Sequence, residues 1–230
     1  LLGDQHDMTL TIFAVLFAVA CVCRIASASF LASQAEPQPL PPDRERVPVL
    51  EQLRRYRHST GGRLLLYIVF VQFGVWITGP YFAPYMNRKL LFSYVDYAVL
   101  IAFSFVFKIL ALPVCGRFAK RWGARRLLTL GGIGIVPLSG MWSVSDSYVW
   151  LCLTQVTAGI SWAAYELAFF LLFFESIPAK ERVSVLTLFN LVNSLALAAG
   201  AILGGVILHS AGETPAAYHA LFTISSAWRA

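Results

Sequence analysis

Residues 116–126 read Gly116-Arg117-Phe118-Ala119-Lys120-Arg121-Trp122-Gly123-Ala124-Arg125-Arg126, eleven residues with five positive charges and no negative one. An apolar run of helix length lies on each side. Lys and Arg resist translocation, so a short basic connection between two spanning segments sits on the cytoplasmic face. Its two glycines, seven residues apart, suit a tight turn where two helix ends approach closely. The stretch sets environment and orientation together.

Composition gives the same environment. Of the 230 residues, 58% are hydrophobic and 13% charged, with a mean hydropathy of +0.67, against the roughly 25% charged residues of a soluble domain. A soluble core has no use for so much apolar surface, whereas a bilayer demands it. The net charge of +6 is carried in loops between apolar runs, which is the positive-inside pattern and excludes a nucleic-acid partner. Cys21, Cys23, Cys115 and Cys152 lie in or beside apolar segments. They have neither the paired spacing of a zinc site nor a disulfide framework. His6, His58, His209 and His219 lie in loops or near span ends and form no H-x-x-x-H pair. Neither G-x-S-x-G nor a P-loop is present, so the reading is a non-enzyme without cofactor or metal.

Apolar segments cover residues 8–33, 63–84, 93–115, 126–144, 147–174 and 183–208, and a seventh opens near Ala217 and reaches Ala230. About 20 residues at about 1.5 Å each cross the hydrocarbon, so the first six are long enough to span. Asp4 and Asp7 stand where a signal peptide needs positive charge, so 8–33 reads as a span. Placing 31–63, 114–126 and 175–183 on one side gathers thirteen Lys and Arg there and leaves only Arg88 and Lys89 opposite. That side is cytoplasmic.

Residues 34–62 stand apart. Glu36-Pro37-Gln38-Pro39-Leu40-Pro41-Pro42 is stiff and solvated, and mixed charges follow as far as Arg57. The expected organisation is one span in 1–33, a cytoplasmic linker in 34–62, and a six-segment bundle in 63–230 whose last helix is incomplete. One span before the linker and six after it mark the chain as the tail of a longer one. A weak repeat agrees: residues 16–24 overlay 221–229 at an offset of 205 without a gap, with Leu, Phe and Arg identical. Both segments would run inward and end on an Arg placed to snorkel. Chance similarity of two apolar helices is the other reading. A true repeat implies a parallel duplication of six-span units.

The basic stretch resembles the signature loop of the major facilitator superfamily, G-x-x-x-D-R-x-G-R-R. Gly116, Arg121, Gly123, Arg125 and Arg126 match, while Ala124 takes the first usual basic position. Lys120 stands where the family places Asp, so a gating salt bridge through that Asp is not expected here. Glu175-Ser176-Ile177-Pro178 with Arg182 is similar to the family's other cytoplasmic loop, and Gly200, Gly204 and Gly205 look like its glycine-rich fifth and eleventh helices. The resemblance implies an all-α integral membrane fold, a polytopic helical bundle forming the C-terminal half of a twelve-helix transporter. It also implies secondary active transport of a small organic solute, driven by protons or another ion, in an inner or plasma membrane. The partners are then the solute, the bilayer, protons and the missing N-terminal half of the same chain. A non-transporting sensor or scaffold on this fold is the alternative that Lys120 keeps open.

Intramembrane polar groups are costly and face a cavity or a partner. Lys108 and Glu166 lie at matching depth, about 12 and 13 Å inside the cytoplasmic ends of parallel spans. They are expected to face each other as an ion pair or to share a substrate, either ordering helix packing or coupling transport to protons or substrate; Lys108 snorkelling alone is the third reading. Gln155, Gly159, Trp162 and Glu166 share one helix face, and so do Gln72, Trp76 and Gly79. An amide beside an indole suits an organic solute; tight interhelical packing explains the same residues. Asn193 and Asn190 are polar lining or packing, with Asn190 read as packing. Gly79-Pro80 and Pro84 are expected to break or end the second span near its outer end.

Overall fold

The computed structural model describes residues 2–33, 59–179 and 181–230. The expected linker over 34–58 and Lys180 lie outside the described residues. The chain divides into two compact units, Leu1–Arg46 and Val47–Ala230. The first holds helix α1, Leu2–Ala32, whose apolar stretch Phe17–Ala32 carries exposed Phe17, Val22, Ile25 and Phe30.

In the second unit, α2 covers Thr60–Thr78. Ser59 caps it by accepting the Gly62 amide at 3.0 Å, so the helix starts ahead of the expected position 63. Pro80 and Pro84 do not break the path here; they change its winding. A 3₁₀ turn, Gly79–Tyr81, is followed by a single α turn, Phe82–Pro84, and then by a π turn, Tyr85–Lys89. A proline cannot donate to the carbonyl four residues back, and tight and wide turns in succession absorb the missing bonds.

Helix α3, Tyr94–Trp122, opens on a capping box between Ser93 and Asp96. It runs past the expected end at residue 115, so most of the basic stretch is helical. It continues through Pro113 and Gly116, and the Ala, Arg and Lys that follow favour helix as far as Gly123. Gly123 alone leaves the helical region, at φ +89°, and joins α3 directly to α4, Ala124–Ile135. Gly116 is an ordinary helical residue whose missing Cβ would meet nothing. Only one of the two expected turn glycines therefore makes a turn.

The fourth expected span is not one helix. It ends at Ile135 and resumes as α5, Leu138–Met141, beyond Pro137. Pro137 has no amide to offer Ile133, so the regular ladder stops at Val136. Helices α6, Tyr148–Ser176, and α7, Arg182–Ser210, follow. The last helix, α8, spans Pro215–Arg229, with Thr214 as cap and Pro215 at its first turn. Among the described residues, Thr60–Lys89, Tyr94–Trp122, Tyr148–Ser176 and Arg182–Ser210 are long and apolar enough to cross a membrane.

Helix α6 lies against both α3 and α4, α2 lies along α7, and α8 bridges α2 and α5. Small residues make these seams close. A Cβ on Gly200 would meet the Phe73 carbonyl oxygen of α2 at 2.6 Å, the backbone approach that small residues permit between membrane helices. Tyr85, Leu100, Trp142, Leu151, Tyr218 and Phe222 fill one core cluster, and Ile68, Val71, Ile135, Leu138, Tyr165 and Phe189 another. Outside these clusters α3 presents exposed Phe105, Ile109, Leu110 and Val114, a surface that water would not tolerate and lipid would.

Candidate substrate and coupling site

Lys108 is midway along α3, about 21 Å from either end. Its Nζ lies 2.6 Å from Glu166 Oε2 on α6. The pairing expected from matching depth is therefore present. The side chains are 26% and 42% exposed, respectively, so the pair opens onto a surface and is not sealed in the core. Pairing offsets part of the cost of carrying either charge on an apolar helix, and the partial exposure of both side chains lowers that cost further.

Gly159 explains how the pair forms. A Cβ there would meet the Lys108 backbone nitrogen at 2.9 Å and Phe107 Cβ at 3.1 Å. The missing side chain lets α3 and α6 touch two turns from Glu166, and that contact sets the distance their side chains must bridge. Gly159 is thus a packing residue. Trp162 turns from the pair toward the core, with its ring edge-on to Tyr165 at 5.8 Å between centroids. Gln155 is half-buried on the same helix. The face read as one lining surface is therefore shared between helix packing, the core and the ion pair.

On α2, Gln72 is half-buried and Trp76 is 39% exposed. A Cβ on Gly79 would touch the Trp76 ring at 3.6 Å, so these two do share a face. Among the described residues no hydrogen bond or ring contact joins Gln72 or Trp76 to Lys108 or Glu166. Asn193 lies on α7 with its Oδ1 buried and without a hydrogen-bond partner. Asn190 is exposed.

The two turns at the basic end meet across a cleft of about 760 Å³. Gly123, Ala124 and Arg125 line one side, Glu175, Ser176, Pro178 and Glu181 another, and the start of α2 a third. Arg121 and Arg126 both lie over the Trp122 ring, at 5.3 and 5.6 Å, a cation–π arrangement in which Arg126 reaches back across the one-residue turn. Arg182 donates to the Phe174 carbonyl at 2.7 Å and the Ile177 carbonyl at 3.1 Å. It closes the end of α6, where carbonyls lack helical partners. Lys120 is exposed.

The model of the Major Facilitator Superfamily matches residues 64–228. The chain belongs to this superfamily. It is therefore a polytopic integral membrane protein of a transporter family, and the superfamily is one of transporters rather than enzymes. No curated protein matches the chain.

Two polar clusters of this superfamily member escaped sequence reasoning. Arg229 does not snorkel as the repeat suggested. It is 9% exposed and points into the bundle, where Ser139, Ser225 and the Ile135 carbonyl receive its protons. An Arg near a span end reads as snorkelling because that side chain is long enough to reach water; the deciding oxygens lie on other helices. At the opposite end, Tyr85 donates to Asp146 Oδ1 at 2.7 Å, and its hydroxyl lies 3.2 Å from His219 Nε2. The π turn carries the buried Tyr85 hydroxyl to both. No local spacing links residues 85, 146 and 219.

Proposed function

We propose that this chain forms one wall of the solute path of a secondary active transporter, which moves a small organic solute by alternating access and is coupled to protons. The observation that carries the reading is the Lys108–Glu166 pair, at 2.6 Å and partly open, midway along α3. Carriers hold their substrate and coupling sites near the midplane between two helix groups. Charges at that depth belong to pathways and relays.

Protonation of Glu166 removes the attraction that holds the pair, and leaves the Lys108 charge to water or to solute. That change gives a proton a way to bias one conformation over another. Trp76, Gln72, Gln155 and Asn193 supply the apolar surface and directional polar groups that an organic solute needs, while Trp162 packs behind them against Tyr165. A second helix group, the N-terminal half of the full-length chain, supplies the facing wall, and the membrane is an inner or plasma membrane. A sensor or scaffold is the second reading, favoured by Lys120 in place of the family's Asp.

The test uses full-length protein in proteoliposomes under an imposed proton gradient, with a panel of radiolabelled organic acids, amines and sugars. Glu166→Gln and Lys108→Met are each expected to lower uptake at least about tenfold, as loss of a charge-assisted contact does in other binding sites. Unchanged uptake and unchanged proton dependence in both would remove the coupling role. Absence of flux for the whole panel would favour the sensor.

A further inference from the structure

The break after Ile135 leaves a carbonyl without its usual partner. In an unbroken helix Ile135 would accept the amide of Ser139. Here it accepts Nη1 of Arg229 on α8, at 2.9 Å. Nη2 of the same guanidinium donates to Ser139 Oγ and, at 3.2 Å, to Ser225 Oγ, while Nε donates to the Ser225 carbonyl at 2.9 Å. Ser225 in turn donates to the Gly74 carbonyl of α2 at 2.6 Å. Thr78 Oγ1 of α2 lies 3.2 Å from Ser225 Oγ and 3.3 Å from Ser139 Oγ. The oxygens of three helical elements thus converge on one cation.

A guanidinium has five N–H donors, and these contacts engage four of them. Among the described residues no carboxylate lies within ion-pair distance of Arg229. A buried charge without a counter-ion is costly unless its hydrogen bonds are made, and here carbonyl and hydroxyl dipoles make them. With so few donors left over, Arg229 is not poised to hold an anion. Its planar fork reaches a carbonyl and two hydroxyls at once, which a lysine ammonium does not.

We propose that Arg229 is a built-in cationic latch. It gives the Ile135 carbonyl the proton that the broken backbone withholds, and it ties α2, the interrupted fourth segment and α8 into one body. The Pro137 break then stays closed while Arg229 is in place, and loosens when it leaves. This inference is independent of the transport reading, because its readout is local opening and not flux.

Hydrogen exchange of the amides in residues 138–144 tests it, on purified full-length protein in detergent micelles. Arg229→Ala is expected to speed their exchange at least about tenfold, as hydrogen bonds to a charged group would require. Guanidinium chloride at low millimolar concentration is expected to restore most of the protection, whereas potassium chloride and urea at the same concentration are not. Arg229→Lys is expected to exchange nearly as fast as the alanine variant. Unchanged protection in Arg229→Ala, equal rescue by potassium chloride, or wild-type protection in Arg229→Lys would each overturn the latch. Should Arg229→Ala fail to fold, Ser139→Ala with Ser225→Ala is read in the same way. Faster exchange at 138–144 supports the latch, and wild-type exchange overturns it.

Discussion

Lys108 meets a full negative charge on a partly open face, whereas Arg229, mostly buried, meets only carbonyl and hydroxyl dipoles. Both are cations on helices of an apolar bundle, yet the arrangements suit different work. An ion pair has two states that differ by one proton, so it can respond to a gradient. A guanidinium solvated by backbone and hydroxyl oxygens has one stable state under physiological conditions, because Arg keeps its proton. Openness reinforces the contrast. The Lys108 and Glu166 side chains are 26% and 42% exposed, whereas Arg229 is 9% exposed at the edge of a cleft of about 750 Å³. On the proposed readings, charge inside this bundle serves coupling where it is paired with an acid and partly exposed, and architecture where it is buried without one.

The comparison breaks most readily at Arg229. Replacing it with Gln leaves Ser139, Ser225 and the Ile135 carbonyl short of donors, and is expected to destabilise the bundle by about 3 kcal/mol. A thermal melt followed through the thiols of Cys115 and Cys152 would show it; a wild-type melt would mean that the cluster bears no load. Gly159→Ala comes next. Its Cβ would meet the α3 backbone beside Lys108, so about 2 kcal/mol of destabilisation is expected from overpacking. A crosslink between cysteines placed at 108 and 166 should then form more slowly; an unchanged rate would mean that Gly159 does not set the spacing. Gly123→Ala forces a side chain into φ +89° and is expected to cost about 1 kcal/mol or slightly more. The same melt would reveal it, and no change would show that the turn adapts. The smallest stability effect belongs to Lys108→Met, below about 1 kcal/mol because the pair is partly exposed. A larger loss would make the pair structural and erase its contrast with Arg229.

The residues that decide the fold and those that decide the site differ in how far they act. The apolar runs, the basic stretch and the Lys108–Glu166 pairing were legible because length, charge and depth are local quantities, and parallel neighbouring helices carry equal depth into contact. The winding of the chain around Pro80 and Pro84 was less so. A proline removes a bond, but whether the helix stops or rewinds depends on what packs around it, and here Tyr85 and Met86 are held in the core. The same holds for the break at Pro137, where Arg229 supplies a donor from 94 positions away. The glycines of the basic stretch divided by backbone conformation: Gly123 takes φ +89°, whereas Gly116 stays helical, and at neither would a Cβ meet a neighbour. Long-range satisfaction of a carbonyl or a hydroxyl leaves no periodicity in the chain.

The most direct measurement of the contrast pairs two readings on one preparation of full-length Glu166→Gln: its melting temperature, and proton-driven accumulation of whichever solute the wild type carries. The account predicts a melt within about 2 °C of wild type, as expected for a partly exposed ion pair, together with loss of proton dependence. A lowered melt with proton dependence intact would contradict it, and would make Lys108–Glu166 a packing contact like that of Arg229.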